Sequence, residues 1–352
     1  VAPLRGMKNS LKILEPYLFP HESEVLMGKN TFCRAWKKAL AKTMLCIFLA
    51  ELTYLGQGQL SAAERQDAFT PPLMVDVDLI LLNATVRGRH HRVITSLEPE
   101  RFRIYEDEVE QKLAYFGYGE VPASIGIVLD VSGSMTGNIA FAKKAVTTFL
   151  TTSNRQDEYF LITFSESPRL EKDFTSNSGA VATELSLKVA GGKTSLYDAV
   201  YLALTKMADR RHQRKALIVV TDGSDNSSQY SFDELREAIK ESDVEIFTIG
   251  IPEFFSLDDE AMLVLKEMAQ LSGGTAHFPR IADQLEDVTA KIAQEIKSQY
   301  LLGYYSSNKN SKKSWRKIKL KLTPPPGSPR LSVSTKPGYY ARVDQRRSKS
   351  GP

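Results

Sequence analysis

The sequence predicts an α/β fold, a doubly wound and mainly parallel sheet inserted in a small split β module. Three observations carry this. A continuous apolar run at residues 125–129 and largely apolar runs at 216–221 and 245–251 read as strands buried on both faces. Segments of helical length and period alternate with them between residues 123 and 298. Strand-period patterns fill both flanks, 71–120 and 299–341, and neither flank is large enough to fold convincingly by itself. At 42% hydrophobic and 25% charged residues, the chain has the apolar material for a sizeable core.

Residues 1–62 read as an N-terminal extension ending in an export leader. Arg34, Lys37, Lys38 and Lys42 precede an apolar stretch at 43–55, and small and polar residues follow through Ala62 and Ala63. That is the order of a secretory signal peptide, so cleavage is expected near Ala62 or Ala63 and the product is periplasmic, surface-held or secreted. Glu51 interrupts the stretch, and a membrane span needs about 20 apolar residues, so no span is expected. A short amphipathic helix of the folded protein is the competing reading. Residues 1–26 lie upstream of Met27 without a basic signal start; Val1 fits a non-AUG start or an over-extended reading frame, and no role is assigned there.

Cys33 and Cys46 both fall in this leader, so a processed chain has no thiol chemistry and no disulfide. The leader also accounts for the whole net charge of +4: it holds eight basic and four acidic residues, and the remainder balances at 38 each.

In the first flank, residues 74–86 form a long β-branched run, and Arg87-Gly-Arg-His90 reads as a hairpin turn. Residues 101–111 alternate, with Phe102, Ile104 and Val109 expected to face inward, and 112–118 repeat the alternation. His90 and His91 are adjacent, and adjacent strand residues point to opposite faces, so they are solvated turn residues rather than a metal pair.

The α/β segment is taken as 121–298. Its strands are 125–129, 158–164, 216–221, 245–251 and a short edge at 275–278; its helices are 139–150, 179–189, 194–208, 231–241, 258–271 and 281–297. The fourth helix opens on Ser231 with Glu234 three residues on, a capping box. His277 on the edge strand reads as a packing residue.

The second flank returns to strands at 299–306, 314–322 and 330–335, the last leading into Pro337-Gly-Tyr-Tyr340. Strict alternation at 317–322 buries Ile318, Leu320 and Leu322 and exposes lysines, which would protect a sheet edge. Residues 324–327 are a connector, and 342–352 a basic tail without fold.

Three stretches carry chemistry. Asp130-Val-Ser132-Gly-Ser134 follows the first buried strand, Gly191-Gly-Lys-Thr194 precedes a helix, and Thr221-Asp222-Gly223 ends another strand. Each alone is ordinary turn chemistry. Together, at the carboxyl ends of strands of one doubly wound sheet, they offer a set of hard oxygens suited to Mg²⁺, Mn²⁺ or Ca²⁺.

These stretches, in this order and context, resemble the von Willebrand factor type A domain and its metal-ion-dependent adhesion site. The resemblance implies a Rossmann-like fold in which Ser132, Ser134 and Thr194 are hydroxyl ligands and Asp130 and Asp222 are carboxylates bound directly or through water. It implies that the cation keeps an open position for an aspartate or glutamate of a protein partner. Asp198 and Asp225, nearby in sequence, are read as structural. The flanks extend the resemblance over residues 76–341: Phe102-Arg-Ile-Tyr-Glu-Asp, Gln111-Lys-Leu, Tyr300-Leu-Leu-Gly-Tyr-Tyr and Lys336-Pro-Gly-Tyr-Tyr look like bacterial exported proteins of the acidobacterial type related to von Willebrand factor A. Glu108 stands where that family turns on Gly, which puts the geometry of one hairpin in question.

Two other function classes compete with adhesion. A metal-dependent hydrolase or phosphotransferase needs a nucleophile or base beside the ion, yet none of the three loops holds a histidine, and the hydroxyls two and four residues after Asp130 fit ligation better than phosphorylation of Asp130. From Ser306 onward the chain has 13 basic residues and one acid, which suits an envelope protein holding an anionic surface. It lacks the interleaved aromatics of a single-strand nucleic-acid binder. The expected function is therefore divalent-cation-dependent protein binding without catalysis.

Overall fold

Ala123–Asp130 (β5) is the axis of the larger sheet, and every one of its residues is buried. A computed structural model describes residues 79–89, 92–222, 225–251, 259–280, 282–310, 314–327 and 330–341. The leader with both cysteines, His90 and His91, Gly223, and the tail at 342–352 lie outside the described residues. Among the described residues no helix is long and apolar enough to cross a membrane.

The chain enters through β1 (Leu79–Arg87), β2 (Phe102–Glu106), β3 (Val109–Gln111) and β4 (Leu113–Tyr118). After β5 come α1 (Ile139–Thr152), β6 (Glu158–Phe164), β7 (Pro168–Thr175), α2 (Ser178–Ser186) and α3 (Leu196–Lys206). Then follow β8 (Arg214–Thr221), α4 (Phe232–Glu241), β9 (Glu245–Gly250), α5 (Asp259–Ser272), β10 (Ala276–His277) and α6 (Ala282–Lys297). The exit strands are β11 (Tyr300–Tyr305), β12 (Trp315–Leu322), β13 (Ser332–Ser334) and β14 (Gly338–Tyr340).

The six-stranded sheet has the order β10-β9-β8-β5-β6-β7. All its pairs are parallel except β6 with β7. The strands run apolar because helices cover both faces. On one face Ile125, Ile127, Leu129 and Ile218 pack with Phe149 of α1 and Ile292 of α6. On the other, Val128, Phe160 and Leu217 pack with Val200 of α3, Leu235 of α4 and Leu265 of α5. Each such buried side chain stabilises by roughly 1.5–3 kcal/mol. α4 opens on the capping box of Ser231 and Glu234. The edge strand β7 was not read from the sequence. Its residues are half-buried or exposed and four of eight are charged, so it has no apolar run to announce it.

Strands from both flanks interleave in two four-stranded sheets, β13-β1-β11-β4 and β14-β12-β2-β3. Leu82, Ala84 and Val86 of β1 share one core with Phe102 and Ile104 of β2, Tyr300, Leu302 and Tyr304 of β11, and Ile318 and Leu320 of β12. Two expectations need correction. Val109 is 56% exposed, because it stands opposite Glu106 at the end of the edge strand β3, and Gln111 opposite Ile104 takes the buried place. The lysines of β12 do face solvent, but in the sheet order β12 lies between β14 and β2, not at an edge. Leu322, expected to be buried, is only half-buried at the strand's end.

The hairpin in question turns on Asp107 and Glu108, both with left-handed φ of 47° and 65°. Two consecutive left-handed residues make the tight turn that matches strand twist, usually with glycine or asparagine. Here Asp107 is pinned to β12, its N–H donating to the Lys317 carbonyl and its Oδ1 accepting from the Lys317 N–H, each at 2.9 Å.

Arg87 ties the β module to the α/β unit. Its Nε and Nη2 donate to the two carboxylate oxygens of Glu295 on α6, both at 2.7 Å, and its Nη1 donates to Ser334 Oγ of β13 at 2.7 Å. Both partners of the ion pair are buried.

Candidate metal centre

The sheet order places a topological switch point between β5 and β8: β6 and β7 extend one way from β5, and β8, β9 and β10 the other. Loops leaving the carboxyl ends of β5 and β8 diverge there, and such crevices are where α/β sheets hold ligands. Asp130 is the last residue of β5 and Thr221 the last of β8, so the apolar runs that build the strands also deliver these groups to one edge.

Asp130 is fully buried. Its Oδ1 accepts from the Ser132 N–H at 2.8 Å and its Oδ2 from the Thr221 hydroxyl at 2.6 Å. The Ser132 and Ser134 hydroxyls are 3.0 Å apart, and the Ser134 hydroxyl donates to Asp222 Oδ1 at 2.7 Å. Thr221, Asp130, Ser132, Ser134 and Asp222 thus form one hydrogen-bonded chain, its Asp130–Ser132 link through the Ser132 N–H, from two loops whose strands are neighbours. Met135, fully buried in the core beneath, anchors the loop between them and α1.

Thr194 reaches this edge through its backbone. Gly133 N–H donates to Gly192 O at 2.9 Å and Gly191 N–H to Val131 O at 2.8 Å, lacing its loop to the loop after β5. Gly192 has φ +88°, a conformation that side chains disfavour, and an added Cβ would meet Glu166 Cγ at 3.3 Å. On the other side Asn226 brackets the Thr194 peptide: its Oδ1 accepts from Thr194 N–H at 2.8 Å and its N–H donates to Thr194 O at 2.9 Å. Thr194 itself is buried.

Asp225 and Asp198 hold the surrounding loop. Asp225 accepts from Tyr197 N–H at 3.1 Å and from Ser228, and Asp198 accepts from the Gln229 and Tyr230 N–H groups, each at 2.9 Å at the nearest. Two contributors were missed from the sequence. Thr221 was in view as part of Thr-Asp-Gly, but nothing marked its hydroxyl as the donor to Asp130. Asn226 carries no motif at all.

Burial pushes the Asp130 carboxyl above its ordinary value, against the hydrogen bonds from Ser132 and Thr221 that favour its charge. Among the described residues Asp130 makes no ion pair, so this buried carboxylate lacks a cationic side chain. Two further hydroxyls of the same loops, Ser195 and Ser227, are buried without a hydrogen-bond partner among the described residues. Among the described residues no group of three or more His, Cys, Asp or Glu could hold a metal. Two carboxylates among hydroxyls fit a hard divalent cation, and they do not fit a soft-metal centre.

Residues 124–294 match the family model of the von Willebrand factor type A domain. A comparison with curated proteins gives no match. Among solved structures, conserved hypothetical protein BatB from Bacteroides thetaiotaomicron is similar at 17% identity and a TM-score of 0.41, over 50% of this chain and 100% of that one. A von Willebrand factor type A protein from Catenulispora acidiphila is similar at 12% identity and a TM-score of 0.45, over 77% of this chain and 75% of that one. Proximal thread matrix protein 1 from the mussel byssus, in a structure with a zinc-occupied MIDAS motif, is similar at 16% identity and a TM-score of 0.44, over 54% of this chain and 49% of that one. Residues 124–294 are a von Willebrand factor type A domain, with a mixed sheet flanked by helices and further β-sheets outside it.

Proposed function

We propose that this protein is a divalent-cation-dependent protein-binding module whose metal-ion-dependent adhesion site is made by Asp130, Ser132, Ser134, Thr194 and Asp222. The observation that carries this is the hydrogen-bonded set at the switch point, built around a buried carboxylate that makes no ion pair among the described residues. A bound Mg²⁺, Mn²⁺ or Ca²⁺ would supply a positive charge with a coordination position for a partner's aspartate or glutamate. Ser132, Ser134 and Thr194 would hold it through neutral oxygens, which leaves much of that charge to attract the partner. Asp222 orients the Ser134 hydroxyl and Asp130 the Ser132 backbone, and the two carboxylates would balance the ion. The domain match over residues 124–294 supports the reading, since domains of this type commonly mediate metal-dependent protein binding.

Export belongs to this proposal. The leader-like pattern at 1–62 and the flanking motifs that resemble exported bacterial proteins support an extracytoplasmic setting for the site. The test is a pull-down from envelope extract with the full-length chain, with Mg²⁺ or with EDTA, and with Asp130→Ala as control. Partners captured only by wild type with Mg²⁺ are the expected result. Identical capture in EDTA overturns the adhesion reading, and metal-dependent turnover of generic phosphate or ester substrates favours the hydrolase class.

A further inference from the structure

A second built feature lies at the opposite end of the same sheet. The amino ends of β8 and β9 and one face of β1, β11 and β4 line a cavity of about 560 Å³. The length of β5, eight residues at about 3.3 Å each, puts it roughly 25 Å from the loops at the carboxyl ends. Binding clefts for small molecules measure about 300–1,000 Å³ and are mainly apolar, with a few polar groups that fix orientation.

One wall of the cavity is apolar and open. Leu79 and Leu81 of β1, Tyr115 of β4 and Val121 are 39%, 42%, 46% and 50% exposed. Residues on the other face of these strands, Leu82, Tyr300 and Leu302, are covered by the second sheet. Leu81 pairs across from Gly303, and Gly303 from Tyr115. A Cβ at Gly303 would lie 2.9 Å from Tyr115 Cβ and 3.2 Å from Leu79 and Leu81 methyls, so the glycine lets three apolar side chains converge over a bare strand.

The facing wall is basic. Lys215, a buried side chain, forms an ion pair with Asp243. Lys336 donates to the backbone carbonyls of Lys240, at 2.8 Å, and Ser242, at the end of α4. Among the described residues no carboxylate lies within ion-pair distance of Lys336. Burial, opposed by Asp243 and reinforced by Lys215, pushes the Lys336 amine down to about 8. Glu245, also lining the cavity, is pushed up to about 7 by burial, so near neutral pH it carries part of its negative charge. Five basic residues line the cavity, Arg210, Arg214, Lys215, Lys240 and Lys336, against three acidic ones, Glu241, Asp243 and Glu245, and this excess beside an exposed apolar wall specifies the chemistry of the occupant.

We propose that this cleft binds a single-chain anionic amphiphile, a fatty-acid-like molecule whose carboxylate meets Lys336 and Lys215 and whose chain lies on Leu79, Leu81, Tyr115 and Val121. The test is calorimetry on the full-length chain with dodecanoate below its micellar concentration, beside dodecanol and acetate. Saturable dodecanoate binding is expected, with dodecanol about tenfold weaker or more and acetate silent. Leu81→Asp, on the uncovered face, should abolish binding without lowering the melting temperature, and Lys336→Met should remove the preference for acid over alcohol. Asp130→Ala should bind dodecanoate as wild type does, which keeps this test separate from that of the metal site. Absence of saturable binding, equal affinity for acid and alcohol, or full binding by Leu81→Asp overturns the proposal. A wild-type dimer dissociated by Leu81→Asp assigns the face to a second copy and overturns it too.

Discussion

The hydroxyl of Ser134, on the loop after β5, donates across 2.7 Å to the carboxylate of Asp222, on the loop after β8. The two residues are 88 positions apart, and only the parallel pairing of β5 with β8 brings them together. In the proposed site they share a cation, so their contributions should be coupled. Ser134→Ala should weaken Mg²⁺ binding by about tenfold, the ~1.5 kcal/mol worth of one charge-assisted contact, and leave the fold intact. In a double-mutant cycle with Asp222→Ala the two losses should be less than additive, measured by calorimetry. Strict additivity would separate the two residues.

A stability prediction rests on Arg87 and Glu295. Both are buried, and removing one partner leaves the other charged without compensation. Glu295→Leu should cost ~3–5 kcal/mol, whereas Arg87→Met with Glu295→Leu should recover most of that loss. Denaturant unfolding of the three variants decides it, and a double variant as unstable as the single one would contradict the account.

Stability should also depend on pH through Glu245. Burial raises its carboxyl from an ordinary 4.5 to about 7, against a hydrogen bond from Gln299 and the charge of Arg214. The folded state therefore takes up a proton that the unfolded chain has already lost. This contribution is fully present below pH 4.5 and is lost as pH rises through 7. Glu245→Gln should remove that dependence, and its melting temperature relative to wild type should rise between pH 5 and pH 8, by up to ~3 kcal/mol in free energy. A constant difference across that range would show that Glu245 titrates normally.

Independent folding of the α/β unit is a further expectation. Residues 121–297 contain the whole six-stranded sheet and its helices, so they should fold alone, though weakened by loss of Arg87 opposite Glu295. Residues 71–120 alone should not, because β1 and β4 find their partner β11 beyond the insert. Dispersed amide spectra from the shorter N-terminal piece would contradict this.

Much of this fold was legible because burial on both faces writes a continuous apolar run, as at Ile125 to Leu129, and a strand's end then places whatever follows it. Asp130 and Asp222 could be paired from sequence for that reason. β7 was not legible, since Arg169, Glu171, Lys172 and Asp173 satisfy an antiparallel edge without an apolar signature. The exposure of Val109 depends on where a two-residue turn leaves the edge strand, a relation that periodicity does not record. Asn226 and the hydroxyl of Thr221 act through tertiary contacts alone. The β12 lysines misled because alternation reports which face is wet and not which strands lie beside it.

The central claim is that the oxygens around Asp130 are a cation site. Titration calorimetry of Mg²⁺ into the wild-type chain and into Asp130→Ala tests it most directly. The account predicts one saturable site in wild type, a melting temperature that rises with added Mg²⁺ by the equivalent of ~2.7 kcal/mol at a hundredfold excess over Kd, and neither effect in Asp130→Ala. Equal Mg²⁺ affinity in the two folded proteins would contradict it.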